Sequence, residues 1–272
     1  MLARQRQEVI LDEVRTTGGA RVSELVERLG VSDMTIRRDI EVLAARGLVT
    51  RVHGGATAAG SSVDEPGFAA KSHLHTAAKQ AIAAAAVRLL EPGASVAPSA
   101  GTTTHAVASA LLGIPRLTVV TNSLRVAEVL YEAGGEDMSV VLTGGERTPS
   151  DALVGPVATG TLRSVHLDAV YMGVHGITER AGFSTPNLME AETNRAFVAA
   201  TERLIVLADH TKWNVTGLSS IAPLEAAETL ITDTGIPVSA KTVLGEHIGH
   251  VVAADPLFND NDETMTELRR RV

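Results

Sequence analysis

Between residues 94 and 253 the chain carries seven short runs of β-branched and aliphatic residues, separated by stretches of helical periodicity or by turn residues. They are Ala94–Ala97, Leu117–Thr121, Ser139–Thr143, Ala169–Gly173, Leu204–Ala208, Thr229–Thr232 and His250–Ala253. No other feature constrains the fold as much. Parallel neighbours need a crossover, and a helix is the usual one, so the alternation predicts an α/β domain on a largely parallel sheet. At 272 residues the chain exceeds what one core usually fills, so a second domain is expected.

That second domain lies at the N-terminus. From Arg4 to Arg15, Val9, Ile10 and Val14 fall at helical spacing, and Thr16–Gly19 ends the segment. Ser23 is placed to cap a second helix with Leu25, Val26 and Leu29 turned inward, and Gly30 to stop it. Ser32 caps a third, in which Ile36, Ile40 and Leu43 recur on one face and Gly47 is the stop. Leu48–Gly55 then alternates apolar and polar residues into a glycine pair, as a hairpin wing does. Residues 57–67, TAAGSSVDEPG, are poor in large apolar groups. The expected organisation is a winged helix-turn-helix over 1–56, a linker over 57–70, an α/β domain over 71–255 and a polar tail over 256–272.

Charge is divided unevenly between these parts. Residues 1–56 hold nine arginines, no lysine and eight acids, a net of +1, whereas the whole chain carries −8. An acidic bulk disfavours indiscriminate binding of nucleic acid, yet a near-neutral head still binds DNA if its arginines share one face. With Ile36, Ile40 and Leu43 inward, the third helix presents Ser32, Met34, Thr35, Arg37 and Arg38 around its N-terminal turns. Arginine there suits guanine in the major groove, and the hydroxyls suit phosphate or base edges. Arg51 and His53 on the wing are placed to touch backbone or minor groove.

With no cysteine in the sequence, disulfides, zinc–thiolate sites and cysteine catalysis are excluded. The charged N-terminus lacks a signal-peptide core, and the apolar run Ala81–Val87 falls far short of the roughly 20 residues a membrane span needs, so a cytoplasmic protein with no membrane partner is expected. His73/His75 lies beside the linker and His247/His250 lacks nearby carboxylates in ligand register, so both pairs read as surface histidines. Glu190 and Glu192 are expected on a helix beside Arg195.

In the α/β part, Ser99-Ala100-Gly101-Thr102-Thr103-Thr104 joins a strand to a helix, where backbone N–H groups are available to an anion. A plain capped turn fits the same residues. No lysine follows at Walker spacing and no GxGxxG is present, so neither ATP nor NAD is expected, nor any cofactor. Thr121-Asn122-Ser123, Thr143-Gly144-Gly145 and Asp209 with Lys212 end other strands at the same sheet edge, where open α/β sheets bind ligands.

The run Val31-Ser32-Asp33-Met34-Thr35-Ile36-Arg37-Arg38-Asp39 and the wing Arg51-Val52-His53-Gly54-Gly55-Ala56 resemble the DNA-binding head of the DeoR family of bacterial regulators. The rest is similar to that family's sensor at Lys79 with Ile82, Gly101-Thr102-Thr103, Thr121-Asn122-Ser123, Gly144-Gly145, Gly155, Gly173 with Gly176, and Asp209-His210-Thr211-Lys212. The resemblance implies a fold like that of ribose-5-phosphate isomerase and a repressor of a sugar-metabolism operon. It would bind double-stranded operator DNA as a homodimer or higher homo-oligomer, under control of a phosphorylated sugar effector. The expected effector residues are Lys79, Ser99, Gly101, Thr102, Thr103, Asn122, Gly144, Gly145, Asp209 and Lys212. The chain departs from the family pattern where Pro98-Ser99 replaces an acid before the loop, at Lys71 in place of arginine and at Asn194 in place of lysine. The alternative is an isomerase-like enzyme fused to a DNA-binding head. It requires an acid/base carboxylate beside the phosphate loop, and Tyr171–Gly176 supplies none.

Overall fold

A computed structural model describes residues 2–17, 19–52, 54–58, 67–135 and 137–255, which form two compact units, Met1–His75 and Thr76–Val272. The expected tail, His53 and most of the expected linker lie outside the described residues.

In the first unit, α1 (Ala3–Thr17), β1 (Gly19–Arg21), α2 (Val22–Leu29), α3 (Asp33–Ala45), β2 (Val49–Val52), β3 (Gly55–Ala58) and α4 (Phe68–Ser72) follow in order. Three helices and a wing are present as expected, but the wing has a third strand, because β1 pairs with β3 and gives the order β1-β3-β2. Gly55 permits this: a Cβ there would lie 2.2 Å from the Ala20 carbonyl oxygen. The second helix begins at Val22 rather than after Ser23, since Val22 is buried and its N–H is taken by Gly54 O at 2.9 Å. Gly30 ends it at φ 63°, the left-handed turn that glycine adopts without strain. Ile10, Leu11, Val14, Leu25, Ile36, Ile40 and Leu43 close one core, to which Leu74 also belongs. Burial of Leu74 carries this unit past the boundary that composition suggests at residue 71.

The second unit contains α5 (Thr76–Val87), β4 (Ser95–Pro98), α6 (Thr102–Leu111), β5 (Thr118–Thr121), α7 (Leu124–Ala133), β6 (Ser139–Leu142), β7 (Glu146–Arg147), β8 (Leu153–Val154), α8 (Pro156–Leu162), β9 (Leu167–Gly173), β10 (Gly176–Thr178), β11 (Gly182–Thr185), α9 (Leu188–Ala199), β12 (Thr201–Leu207), β13 (Ser219–Ala222), β14 (Thr229–Asp233), α10 (Val238–His247) and β15 (His250–Ala254). The seven runs read from the sequence become one seven-stranded sheet, β15-β14-β12-β9-β4-β5-β6, in which every pairing is parallel. Both faces are covered. Ala169 and Tyr171 of β9 join a core with α5, α6 and α7, while Val170 and Met172 join another with Phe197 of α9 and Leu244 of α10. Strand order reverses between β4 and β9, so a crevice opens beyond their carboxyl ends. Among the described residues no helix is long and apolar enough to cross a membrane.

Candidate functional site

The first candidate surface is built on α3. Its cap is as expected: Ser32 Oγ accepts from Thr35 N–H at 3.3 Å and lies 2.8 Å from Thr35 Oγ1, so both hydroxyls serve the helix start. Burial of Ile36, Ile40 and Leu43 turns Met34, Arg38 and Glu41 to the surface, with Arg37 half-buried. Met34 is 76% exposed, which no core role explains. Arg51 of β2 donates to Glu41 Oε1 at 2.8 Å, and this ties the wing to α3. Met34, Arg37, Arg38 and Arg51 thus share one side of the unit. A groove of about 710 Å³, lined by Ala3, Gln7, Met34 and Arg38 among others, runs between α1 and α3.

Asp39 has a role that sequence reasoning missed. It is buried, accepts from Arg6 Nε and, at 3.0 Å, from Gln7 Nε2, and so clamps α3 to α1. The signal was available: an acid at position 39 falls on the same helix face as Ile36, Ile40 and Leu43.

The second candidate site sits where strand order reverses. Gly101, at φ 154° and ψ 162°, takes a conformation open essentially to glycine alone and delivers the chain into α6 without a capping side chain. The first-turn N–H groups of Thr102, Thr103 and Thr104 therefore point out of the helix end with no intrahelical acceptor. The loop is braced from three sides. Asn122 Oδ1 accepts from Ala100 N–H at 2.8 Å, Asn122 Nδ2 donates to Leu153 O at 3.1 Å, and Thr121 Oγ1 donates to Pro98 O at 2.6 Å. Ser99, fully buried, accepts from Gly173 N–H at 3.1 Å across the β4–β9 seam. Asn122 and Ser99 thus spend side-chain groups on holding the loop. At Gly145 a Cβ would lie 2.3 Å from Val154 O, so glycine is required for the close approach of the segment after β6 to β8.

Asp209 and Lys212 follow β12, whose Leu207 pairs with Gly173 of β9, so they stand at the same sheet edge. Asp209 is buried and accepts from Thr211 N–H at 3.1 Å. Lys79 is buried on α5. That helix leads into β4 and so runs back across the sheet, which carries its first turns toward the strand carboxyl ends. The structure therefore gathers the Gly101 loop, Asn122, Asp209 and Lys212 along one edge, with Lys79 on the helix beside it.

Two sets of polar contacts near that edge were not anticipated. His210 donates its backbone N–H to Asp233 Oδ1 at 2.7 Å, and its Nδ1 lies 2.8 Å from Oδ2. Burial pushes the Asp233 carboxyl up, but the hydrogen bonds from His210 outweigh it and hold it below the usual range. Asp233 closes β14, so the strand-end rule applied to one more strand finds it. Glu190 is buried and accepts from Thr148 Oγ1 at 2.7 Å and from Ser150. The expected neighbour Arg195 instead donates to Ser219 Oγ at 2.8 Å and Ser220 O at 2.6 Å, because it faces β13. Among the described residues no cluster of three or more His, Asp or Glu is placed to hold a metal, and His247 pairs with Glu225 at 2.6 Å.

Comparison with known proteins bears on both surfaces. A family described as the DeoR-like helix-turn-helix domain matches residues 6–62, and the DeoR C terminal sensor domain matches 74–234. A putative aga operon transcriptional repressor of Escherichia coli O157:H7 is 36% identical over 87% of this chain and 88% of its own length. The glycerol-3-phosphate regulon repressor of Escherichia coli is 32% identical over 89% and 96%. A regulator of Haloferax volcanii is 36% identical over 86% and 91%. Among solved structures, a D-ribose-5-phosphate isomerase in complex with phospho-erythronic acid aligns over 50% of this chain and 52% of its own at 14% identity and TM-score 0.38, a likeness too weak to bear on the site. The two matched regions follow one another along the chain in the order of its two units, and the chain belongs to the DeoR family of DNA-binding transcriptional regulators.

Proposed function

We propose that the chain represses a sugar-metabolism operon in the cytoplasm. In this reading α3 enters the major groove of the operator, and a phosphorylated sugar or sugar alcohol in the second unit controls that binding. The observation that carries the effector half is the coincidence of the strand-order reversal with the Gly101 loop and the start of α6. Backbone N–H groups at a helix start, together with an ammonium from Lys79 or Lys212, favour a phosphate dianion over a neutral polyol. Asp209 and Gly144 line the edge where the hydroxyls would lie, and Asn122 holds the loop beside them. A relative named for the glycerol-3-phosphate regulon supports a phosphorylated sugar or sugar alcohol as the ligand class.

One winged head buries only about 600–1,000 Å² on DNA, so a symmetric homodimer or larger homo-oligomer is part of the proposal. The second unit offers a surface for a second copy at its edge strand β6, where Val141 and Leu142 are exposed beside Tyr131, itself 88% exposed.

A double dissociation on promoter DNA tests the reading. Arg38→Ala should abolish or sharply weaken operator binding while calorimetric binding of the sugar phosphate persists. Thr102→Glu should leave operator binding intact and remove its response to the sugar phosphate. Intact operator affinity in the first variant, or an undiminished response in the second, would refute the corresponding half.

A further inference from the structure

The cationic face of the first unit is largely neutralised from within. Arg37 pairs with Asp33 through two bonds, Nε to Oδ1 at 2.5 Å and Nη2 to Oδ2 at 3.2 Å, and Arg51 pairs with Glu41 at 2.8 Å. All four side chains are about half exposed. Arg38 makes no ion pair among the described residues. Exposed pairs of this kind add little to folding stability, so the fold alone gives small reason for two of them on one surface. Their electrostatic effect is larger: three arginines and two acids present a net +1 to an approaching polyanion instead of +3.

We propose that Asp33 and Glu41 are specificity determinants that mask Arg37 and Arg51 against non-specific phosphate contact and release them only at the operator. The proposal rests on the reading that α3 and β2 face DNA. On a random sequence, an arginine that leaves its carboxylate for a phosphate exchanges one exposed ion pair for another and leaves an acid beside the backbone. Its net contribution to counterion release is near zero. At the operator, a bidentate contact of arginine with guanine is worth enough to drive the exchange. Asp33 is suited to letting go, because it opens α3 and the helix N-terminus stabilises its charge once Arg37 has moved. The hydrogen bond from Arg37 also holds the Asp33 carboxyl below the usual range. Arg38, unmasked, is left to supply the phosphate attraction that any sequence receives.

The test is the salt dependence of binding by the full chain to an operator duplex and to a random duplex, for wild type, Asp33→Asn, Glu41→Gln and the double variant. Each freed cation should steepen the random-duplex slope of log K against log salt by about 0.9, so that random binding tightens roughly eightfold per variant near 0.1 M salt. The ratio of operator to random affinity should fall. Glu202→Gln, the same charge change in the second unit, should leave the slope unaltered. Unchanged slopes in the α3 variants, or an equal change in Glu202→Gln, would overturn the masking role. Arg38→Ala separates this from the underlying reading: if it weakens neither duplex, the DNA-facing assignment itself fails.

Discussion

Replacing Asp39 with alanine should remove most of the stability of the DNA-binding unit without touching the sensor. Its carboxylate is buried between α1 and α3, with Arg6 Nε and Gln7 Nε2 as donors, and the side chains of Asp39 and Arg6 are only 6% and 11% exposed. Removing one partner of a buried ion pair leaves the other charge uncompensated, at a cost of about 3–5 kcal/mol. The better helix propensity of alanine returns roughly 0.5 kcal/mol. A unit of this size is stable by about 5 kcal/mol, the low end for globular domains, so most of its margin disappears and its midpoint falls by on the order of 20 °C. Asp39→Asn keeps an oxygen for the guanidinium and should lose roughly half as much. The assay has an internal control, because Trp213, Tyr131 and Tyr171 all lie in the second unit. Far-UV circular dichroism should show an early loss of helix while the tryptophan transition stays in place. A variant whose circular dichroism melt matches wild type would refute the clamp and return Asp39 to the surface reading.

Ser99→Ala should leave Gly173 N–H without its acceptor at the β4–β9 seam, costing about 1–3 kcal/mol and weakening effector binding, as thermal melts and calorimetry would register. Gly145→Ala should destabilise the second unit, since its Cβ would meet Val154 O at 2.3 Å and its φ is 119°; an unaltered denaturation midpoint would contradict this. Asp233 is ionised more readily in the folded than in the unfolded chain. It therefore contributes stability above the ordinary aspartate value near 3.8 that is lost as pH falls through its lower folded value. Acid titrations of wild type and Asp233→Asn should diverge above that window and converge below it. Leu142→Arg on the edge strand should lower the mass of the proposed homo-oligomer seen by sedimentation, whereas an unchanged mass would contradict an interface there.

The seven sheet strands were legible because a sheet covered on both faces turns each strand into a nearly continuous apolar run. Val119 and Val120 of β5, and Val170 and Tyr171 of β9, show it, neighbours buried on opposite sides of the sheet. Strand order was not legible, since it depends on pairings between segments far apart in sequence. Strands β7, β8 and β10, of two or three residues, are too short for any periodicity to register, and β11 and β13 carry glycine and serine in place of an apolar run. At the candidate sites the strand-end rule located Gly101, Asn122 and Asp209, but it did not reveal that Asn122 and Ser99 brace the loop. Asp33 and Glu41 passed for solvated charges because an exposed pair leaves no trace in hydrophobic patterning.

The central claim joins α3 to the Gly101 loop through one ligand. Its most direct test is titration of the full chain onto a duplex from its own promoter, by fluorescence anisotropy at fixed salt. A panel of sugar phosphates and sugar-alcohol phosphates is added, each beside its unphosphorylated parent. At least one phosphorylated compound should shift the DNA dissociation constant tenfold or more, a coupling of about 1.4 kcal/mol, while its parent leaves it unmoved. Equal shifts from a phosphate and its parent, or no shift from any compound while the chain still binds the duplex, would contradict the account.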